Sequence, residues 1–157
     1  QAKHIYIVGF RSSSFLAGYL NFYFRLIYDN VTQVQGGAAG TFDQLFRVGP
    51  GDVVIAICFP RYSELALKTV QYAKDRGATI IGVTDSEMSP VYQMSSGSLL
   101  VRNEMISFVD SLAAPMSMLN ALILAAAHKQ GTDISATFNE LEHVWDRFGI
   151  FGKVEDE

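Results

Sequence analysis

The chain is 157 residues long and carries 12 Lys+Arg against 16 Asp+Glu, a formal net charge of −4. At roughly 150 residues per domain this is one domain, and 49% hydrophobic residues are enough to build a core, which excludes a disordered chain. The acidic balance lacks the electrostatic footprint of a nucleic-acid binder and makes the chain a poor one, and the longest apolar runs, Val53 to Phe59 and Ala121 to Ala127, fall far short of the ~20 residues that a membrane-spanning helix needs.

His4 to Val8 is β-branched and aromatic and closes on Gly9, which predicts a strand. Ser12-Ser13-Ser14 then opens an apolar-rich stretch through Tyr28 that predicts a helix. Val31 to Val34 predicts a second strand, Gln35 to Gly40 a flexible link, and Thr41-Phe42-Asp43-Gln44 a capping box for a short helix that Gly49-Pro50-Gly51 stops. Val53 to Cys58 is a continuous apolar run, as in a strand covered on both faces of a parallel sheet. Ser63 to Arg76 predicts a helix ended by Gly77, with Lys74 and Arg76 at its carboxyl end. Thr79 to Val83 is the fourth strand, Thr84 to Pro90 a polar loop and Leu99 to Val101 a short fifth strand. Ser107 to about Gln130 predicts a long helix, with Ser107 and Asp110 as its capping box and a kink at Pro115. An amphipathic helix from about Asp133 to Phe148 completes a domain over residues 1–150, followed by a frayed tail over 151–157.

Strands alternating with helices predict an α/β fold: a three-layer αβα sandwich around a five-stranded parallel sheet. The flavodoxin-like order 2-1-3-4-5 suits five strands and right-handed crossovers, and it puts the topological switch between strands one and three. Ligands of open α/β sheets bind beyond the carboxyl ends of those strands.

That order brings together Gly9-Phe10-Arg11-Ser12-Ser13-Ser14 and Phe59-Pro60-Arg61-Tyr62-Ser63. Each loop combines an arginine, hydroxyls and a helix start, whose unpaired N–H groups and partial positive charge suit phosphate oxygens. Arg11 and Arg61 add charge-assisted donors. The plainer alternative is that the serines cap helices and the arginines are solvated. Neither G-x-G-x-x-G nor the P-loop lysine pattern occurs, so a phosphomonoester fits better than a dinucleotide or a triphosphate.

Other chemistries find less support. His4, His128 and His143 are scattered, and Cys58 is the only cysteine, so neither a metal site nor a disulfide is expected. Cys58, ending a buried strand, reads as a small core hydrophobe rather than a nucleophile. Met105, Met116 and Met118, with Phe22, Tyr23 and Phe24, stand at helical spacings that suit core or subunit-interface packing. Among the carboxylates near the switch, Glu64, Asp85 and Glu87, only Glu64 is weighed as a general base, against its ordinary place in a first helical turn. With a lone cysteine and no secretory signal after Gln1, a cytoplasmic setting is expected. The start at Gln1 rather than Met fits an excised domain or a processed start.

The residues that carry chemistry also carry a resemblance. Ile7 to Ala17, Gly51 to Glu64, Gly82 to Ser86 with Ser89-Pro90, and Phe108 to Leu112 with Ala114-Pro115 resemble the sugar isomerase (SIS) domain, and within it the effector domain of MurR/RpiR-type transcriptional regulators. The likeness runs over about residues 3 to 130. Gly9, Ser12 and Ser13 meet the family's first signature, a glycine followed by two hydroxyl residues at a helix start. Of the second, Ser-x-Ser-Gly-x-Thr/Ser, only the final hydroxyl is kept, by Ser63; Cys58, Pro60 and Arg61 stand at the two serines and the glycine. Enzymes of the family generally keep those hydroxyls.

The resemblance therefore implies a sensor without enzymatic activity or cofactor: Ser12, Ser13 and Ser63 holding a phosphate, Arg11 and Arg61 lending charge, and Thr84, Asp85 and Ser86 lining the sugar end, with Ser14 and Tyr62 completing the site. It implies a homodimer or higher homo-oligomer, and DNA contacts only through an amino-terminal helix-turn-helix domain outside this chain. Two alternatives stay open. One is a phosphosugar isomerase or epimerase with its base supplied by Glu64, His143 or a neighbouring subunit, and the other an oligomerisation module with a vestigial pocket.

Overall fold

A computed structural model of the protein describes residues 2–103, 105–106, 108–131 and 134–151. Five strands, β1 (Ile5–Val8), β2 (Val31–Val34), β3 (Val53–Ile57), β4 (Thr79–Thr84) and β5 (Gly97–Leu100), form one parallel sheet in the order β2-β1-β3-β4-β5. Its register aligns Ile5 with both Val31 and Val53, and Val8 with Ala56, so β1 and β3 end side by side. The predicted class and strand order are those of the molecule.

Alternation along the strands divides the core into two layers. Ile5, Ile7, Ile55 and Ile57 face α1 (Ser13–Ile27) and α5 (Ala113–Gln130), where Leu16, Leu20 and Leu119 are fully buried. Val8, Val54, Ala56 and Ile80 face the opposite way, toward α2 (Ala38–Leu45), α3 (Glu64–Asp75) and α4 (Pro90–Met94), meeting Leu45, Val70 and Val91. The close approach of α1 to β1 depends on Gly9, where a Cβ would lie 2.6 Å from the Ser13 carbonyl oxygen and 3.0 Å from the Ala17 methyl. α6 (Ile134–Phe148) ends at Gly149, φ 60°, and the Phe151 ring turns back edge-on to Trp145.

Four local expectations are corrected. α2 begins at Ala38 with Gly37 as its cap, three residues before the expected box; Thr41 is buried inside the helix, and Gln44 reaches back to the carbonyls of Gln35 and Gly40. The polar segment after β4 leads into α4, started by Ser89, whose hydroxyl accepts from the Tyr92 N–H, and by Pro90 at the first helical position. β5 begins at Gly97, two residues early. Finally, α5 starts at Ala113, not Ser107. Before it lies a small antiparallel pair, β6 (Met105–Ile106) and β7 (Val109–Asp110).

Pro115 consequently sits in the first turn of α5, where its missing N–H leaves no bond unmade, and the reason for a kink disappears. Ser107, Asp133 and the tail over 152–157 lie outside the described residues. No helix among the described residues is long and apolar enough to cross a membrane.

Candidate functional site

Because β1 and β3 pair in register, the loops that follow them open at the same edge of the sheet. Both loops turn in the same way. Arg11 at φ 56° and Arg61 at φ 61° are the two non-glycine residues of positive φ among the described residues. That conformation costs an ordinary residue roughly 1–2 kcal/mol and is kept where surrounding structure enforces it, characteristically at functional sites. Immediately after each turn a helix begins. Ser12 precedes α1, with Ser13 buried as its first residue, and Ser63 caps α3 by accepting from the Ala66 N–H at 3.4 Å. In the first loop, the Ser14 hydroxyl donates to the Arg11 carbonyl at 2.6 Å and steadies the turn.

Between the loops lies a cavity of about 90 Å³. Arg11, Ser12 and Ser13 line it from one side, Arg61 and Ser63 from the other, and Asp110 from β7. Two helix starts and the two arginine turns border a space of phosphate dimensions. Five of the residues singled out in the sequence are thus brought together.

The remaining ones lie elsewhere. Ser14 lines an adjacent, larger cavity. Tyr62 donates to Asp85 Oδ1 at 2.8 Å, while the buried Thr84 hydroxyl lies 2.9 Å from Ser89 Oγ and 3.2 Å from Asp85 Oδ1. Ser86 accepts the Ser89 N–H on its carbonyl. Tyr62, Thr84, Asp85 and Ser86 do not line the small cavity; they tie the second loop to the end of β4. Burial and, after it, the bond to Asp85 push the Tyr62 hydroxyl up to about 12.

Cys58 borders the cavity but is almost wholly buried, and burial pushes its thiol up, with Asp85 adding to the shift against a Ser63 backbone bond. It behaves as the small hydrophobe expected, not as a thiolate. Glu64 points away from the cavity into an exposed pair with Lys68 at 3.4 Å. His4 Nε2 lies 2.9 Å from the Thr32 hydroxyl, and no metal-ligating cluster exists among the described residues.

Asp110 is the residue that the sequence reading misplaced. Instead of capping a helix with Ser107, it accepts the Ser12 hydroxyl on Oδ2 at 2.7 Å. Two strands of two residues each carry no readable alternation, and the partner lies 98 positions away.

Comparisons with known proteins agree with this fold. The SIS domain model matches residues 1–125. A search of curated proteins finds no match. Among solved structures, the sugar isomerase domain of an RpiR transcription factor from Sphaerobacter thermophilus superposes with a TM-score of 0.83 at 21% identity, covering 90% of this chain and 79% of that one. The Vibrio vulnificus NanR protein complexed with ManNAc-6P gives 0.78 at 15% identity, covering 98% of this chain and 58% of that one. A Methanococcus jannaschii protein, whose structure was taken to infer 3-hexulose-6-phosphate isomerase function, gives 0.70 at 15% identity over 88% of this chain and 76% of its own.

Proposed function

The chain belongs to the SIS domain family, and from that premise we propose that it is the phosphosugar-sensing domain of an RpiR-type transcriptional regulator of carbohydrate metabolism. The observation that carries this reading is the pair of left-handed arginine turns, each feeding a helix start, that face one phosphate-sized cavity. Ser12, Ser13 and Ser63 hold the phosphate together with the helix N–H groups, and Arg11 and Arg61 neutralise its charge. Tyr62, Thr84, Asp85 and Ser86 brace the second loop from behind. No cofactor enters this scheme.

A sensor needs affinity without turnover. Pro60 contributes neither a hydroxyl nor an N–H to the second loop, and Cys58 is buried in the core beside it, which supports a binding role over catalysis. The net charge of −4 fits a division of labour in which a helix-turn-helix domain of the full-length cytoplasmic protein contacts DNA. Self-association through the α1 and α5 side is part of the same proposal; the exposed Phe15, Phe22 and Leu124 lie on those helices.

One observation favours an isomerase instead: Asp110 places a carboxylate at the cavity, where a general base would stand. The two readings part on turnover. With a stoichiometric ketose or aldose phosphate in D₂O, an isomerase exchanges the proton on the carbon next to the carbonyl, and a sensor does not.

The proposal is tested by thermal shift against hexose and pentose phosphates, sugar acids and inorganic phosphate. A ligand at 100 times its Kd adds about 2.7 kcal/mol, and the shift should vanish in a Ser12→Ala, Ser13→Ala variant. Stabilisation by no phosphorylated compound would refute the reading in favour of an oligomerisation module.

A further inference from the structure

A site for a sugar phosphate has to hold more than its phosphate. Small-molecule sites measure about 300–1,000 Å³, whereas the cavity between the two arginine turns offers about 90 Å³. The sugar must therefore extend beyond it. Toward β4 the way is closed, because Tyr62 and Asp85 are bonded to each other and Thr84 and Ser89 are buried in mutual contact.

Toward β2 the way is open. A second cavity of about 540 Å³ shares Phe10 and Arg11 with the first and runs over the carboxyl ends of β1 and β2. Its polar side chains are those of Arg11, Ser14, Tyr19, Gln33 and Gln35. The two amides form a ladder: Gln35 Nε2 donates to Gln33 Oε1 at 2.8 Å, and Gln33 Nε2 donates to the Ser14 carbonyl at 3.2 Å. Gly18 on α1 lies beside the Gln33 amide, which a Cβ there would meet at ordinary contact distance, 3.5 Å from Oε1.

Gln35 is presented from a fixed backbone. Its N–H donates to Gln44 Oε1 at 3.2 Å, and its carbonyl accepts from Gln44 Nε2 at 2.6 Å. Gly36 at φ 100° then turns the chain away, with nothing within 4 Å of where a Cβ would stand. Held amides that both donate and accept, with no carboxylate among them, match the hydroxyls of a neutral sugar body.

We propose that the sugar body lies in this second cavity, with Gln33 and Gln35 as the residues that select it. This rests on the phosphosugar reading of the first cavity. Calorimetry on the chain with inorganic phosphate, ManNAc-6P, fructose 6-phosphate and ribose 5-phosphate tests both. Gln35→Ala should lower the ratio of the best sugar phosphate's affinity to that of inorganic phosphate by about fivefold, the loss of one neutral hydrogen bond. Gln33→Ala should lower it at least as far, and because Gln33 also supports Ser14, the exposed Gln35 variant serves as the folding-safe arm. Ser12→Ala with Ser13→Ala should weaken phosphate and sugar phosphates together. An unchanged ratio in both glutamine variants, with the serine variant still losing affinity, would overturn the sugar subsite alone. Binding of none of the four compounds to the unmodified chain would overturn the phosphosugar reading and the subsite with it.

Discussion

The Ser12 hydroxyl, at the head of α1, donates to Asp110 Oδ2 at 2.7 Å, so a carboxylate sits among the groups that face an anion cavity. Two unit charges 4 Å apart near a protein surface interact by up to about 4 kcal/mol. In the proposed binding mode, a phosphate held by Arg11 and Arg61 would meet that repulsion and would need the Ser12 proton for itself. On the phosphosugar reading, Asp110 and the ligand compete for the same Ser12 proton.

Replacing Asp110→Asn removes the charge and keeps an acceptor for Ser12. Phosphosugar affinity should rise by about tenfold, or 1.4 kcal/mol, most clearly at low ionic strength where the charge is least screened. Calorimetry at two salt concentrations measures this. Unchanged binding would mean that Asp110 does not oppose the ligand, and weaker binding that it contacts the ligand as an acceptor, the outcome expected of a catalytic base.

Much of this could be read from residues alone, and the exceptions have physical causes. The core strands were legible because Val53 to Cys58 is apolar throughout and His4 to Val8 ends on a glycine that the α1 crossing requires. The helix after Ser89-Pro90 carried a readable start signal, hidden because five residues are too few for periodicity. The left-handed turn at Arg61 has no residue-level mark, since arginine rarely adopts it. The Ser12–Asp110 bond spans 98 residues, beyond the reach of any local pattern.

The turn at Arg61 yields a prediction in which stability and binding move in opposite directions. Arg61→Gly relieves a φ of 61°, and the relief of roughly 1 kcal/mol is partly offset by the greater freedom of glycine in the unfolded chain. The midpoint of urea unfolding should hold or rise slightly, while phosphosugar affinity falls about tenfold with the lost charge-assisted bond. Arg11→Gly, at φ 56°, should behave alike. A variant that loses stability and retains affinity would show the arginine to be a packing residue.

Gly9→Ala tests the link between core and site. Its added methyl would sit 2.6 Å from the Ser13 carbonyl, so α1 must move from β1 at a cost of about 1–3 kcal/mol. Because Ser12 and Ser13 begin that helix, ligand binding should be lost beyond what the lowered stability explains. Urea unfolding and calorimetry on the same preparation separate the two effects; a stable variant with full affinity would refute the close packing.

Tyr62 gives the pH dependence. Burial and the bond to Asp85 raise its hydroxyl from 10.0 to about 12, so between those values the unfolded chain has released a proton that the folded chain still holds. Unfolding free energy falls with rising pH wherever the unfolded state binds fewer protons. The contribution of Tyr62 is therefore complete below pH 10 and is lost as pH climbs toward 12. Tyr62→Phe removes both the titration and the bond that ties the second loop to β4. Urea midpoints followed from pH 8 to 11.5 should decline more steeply in the unmodified chain than in the variant, since Tyr6 and Tyr19, also raised, titrate in both. Parallel curves would mean that Tyr62 is solvated and does not bond Asp85, which would reopen the β4 side of the cavity to the sugar.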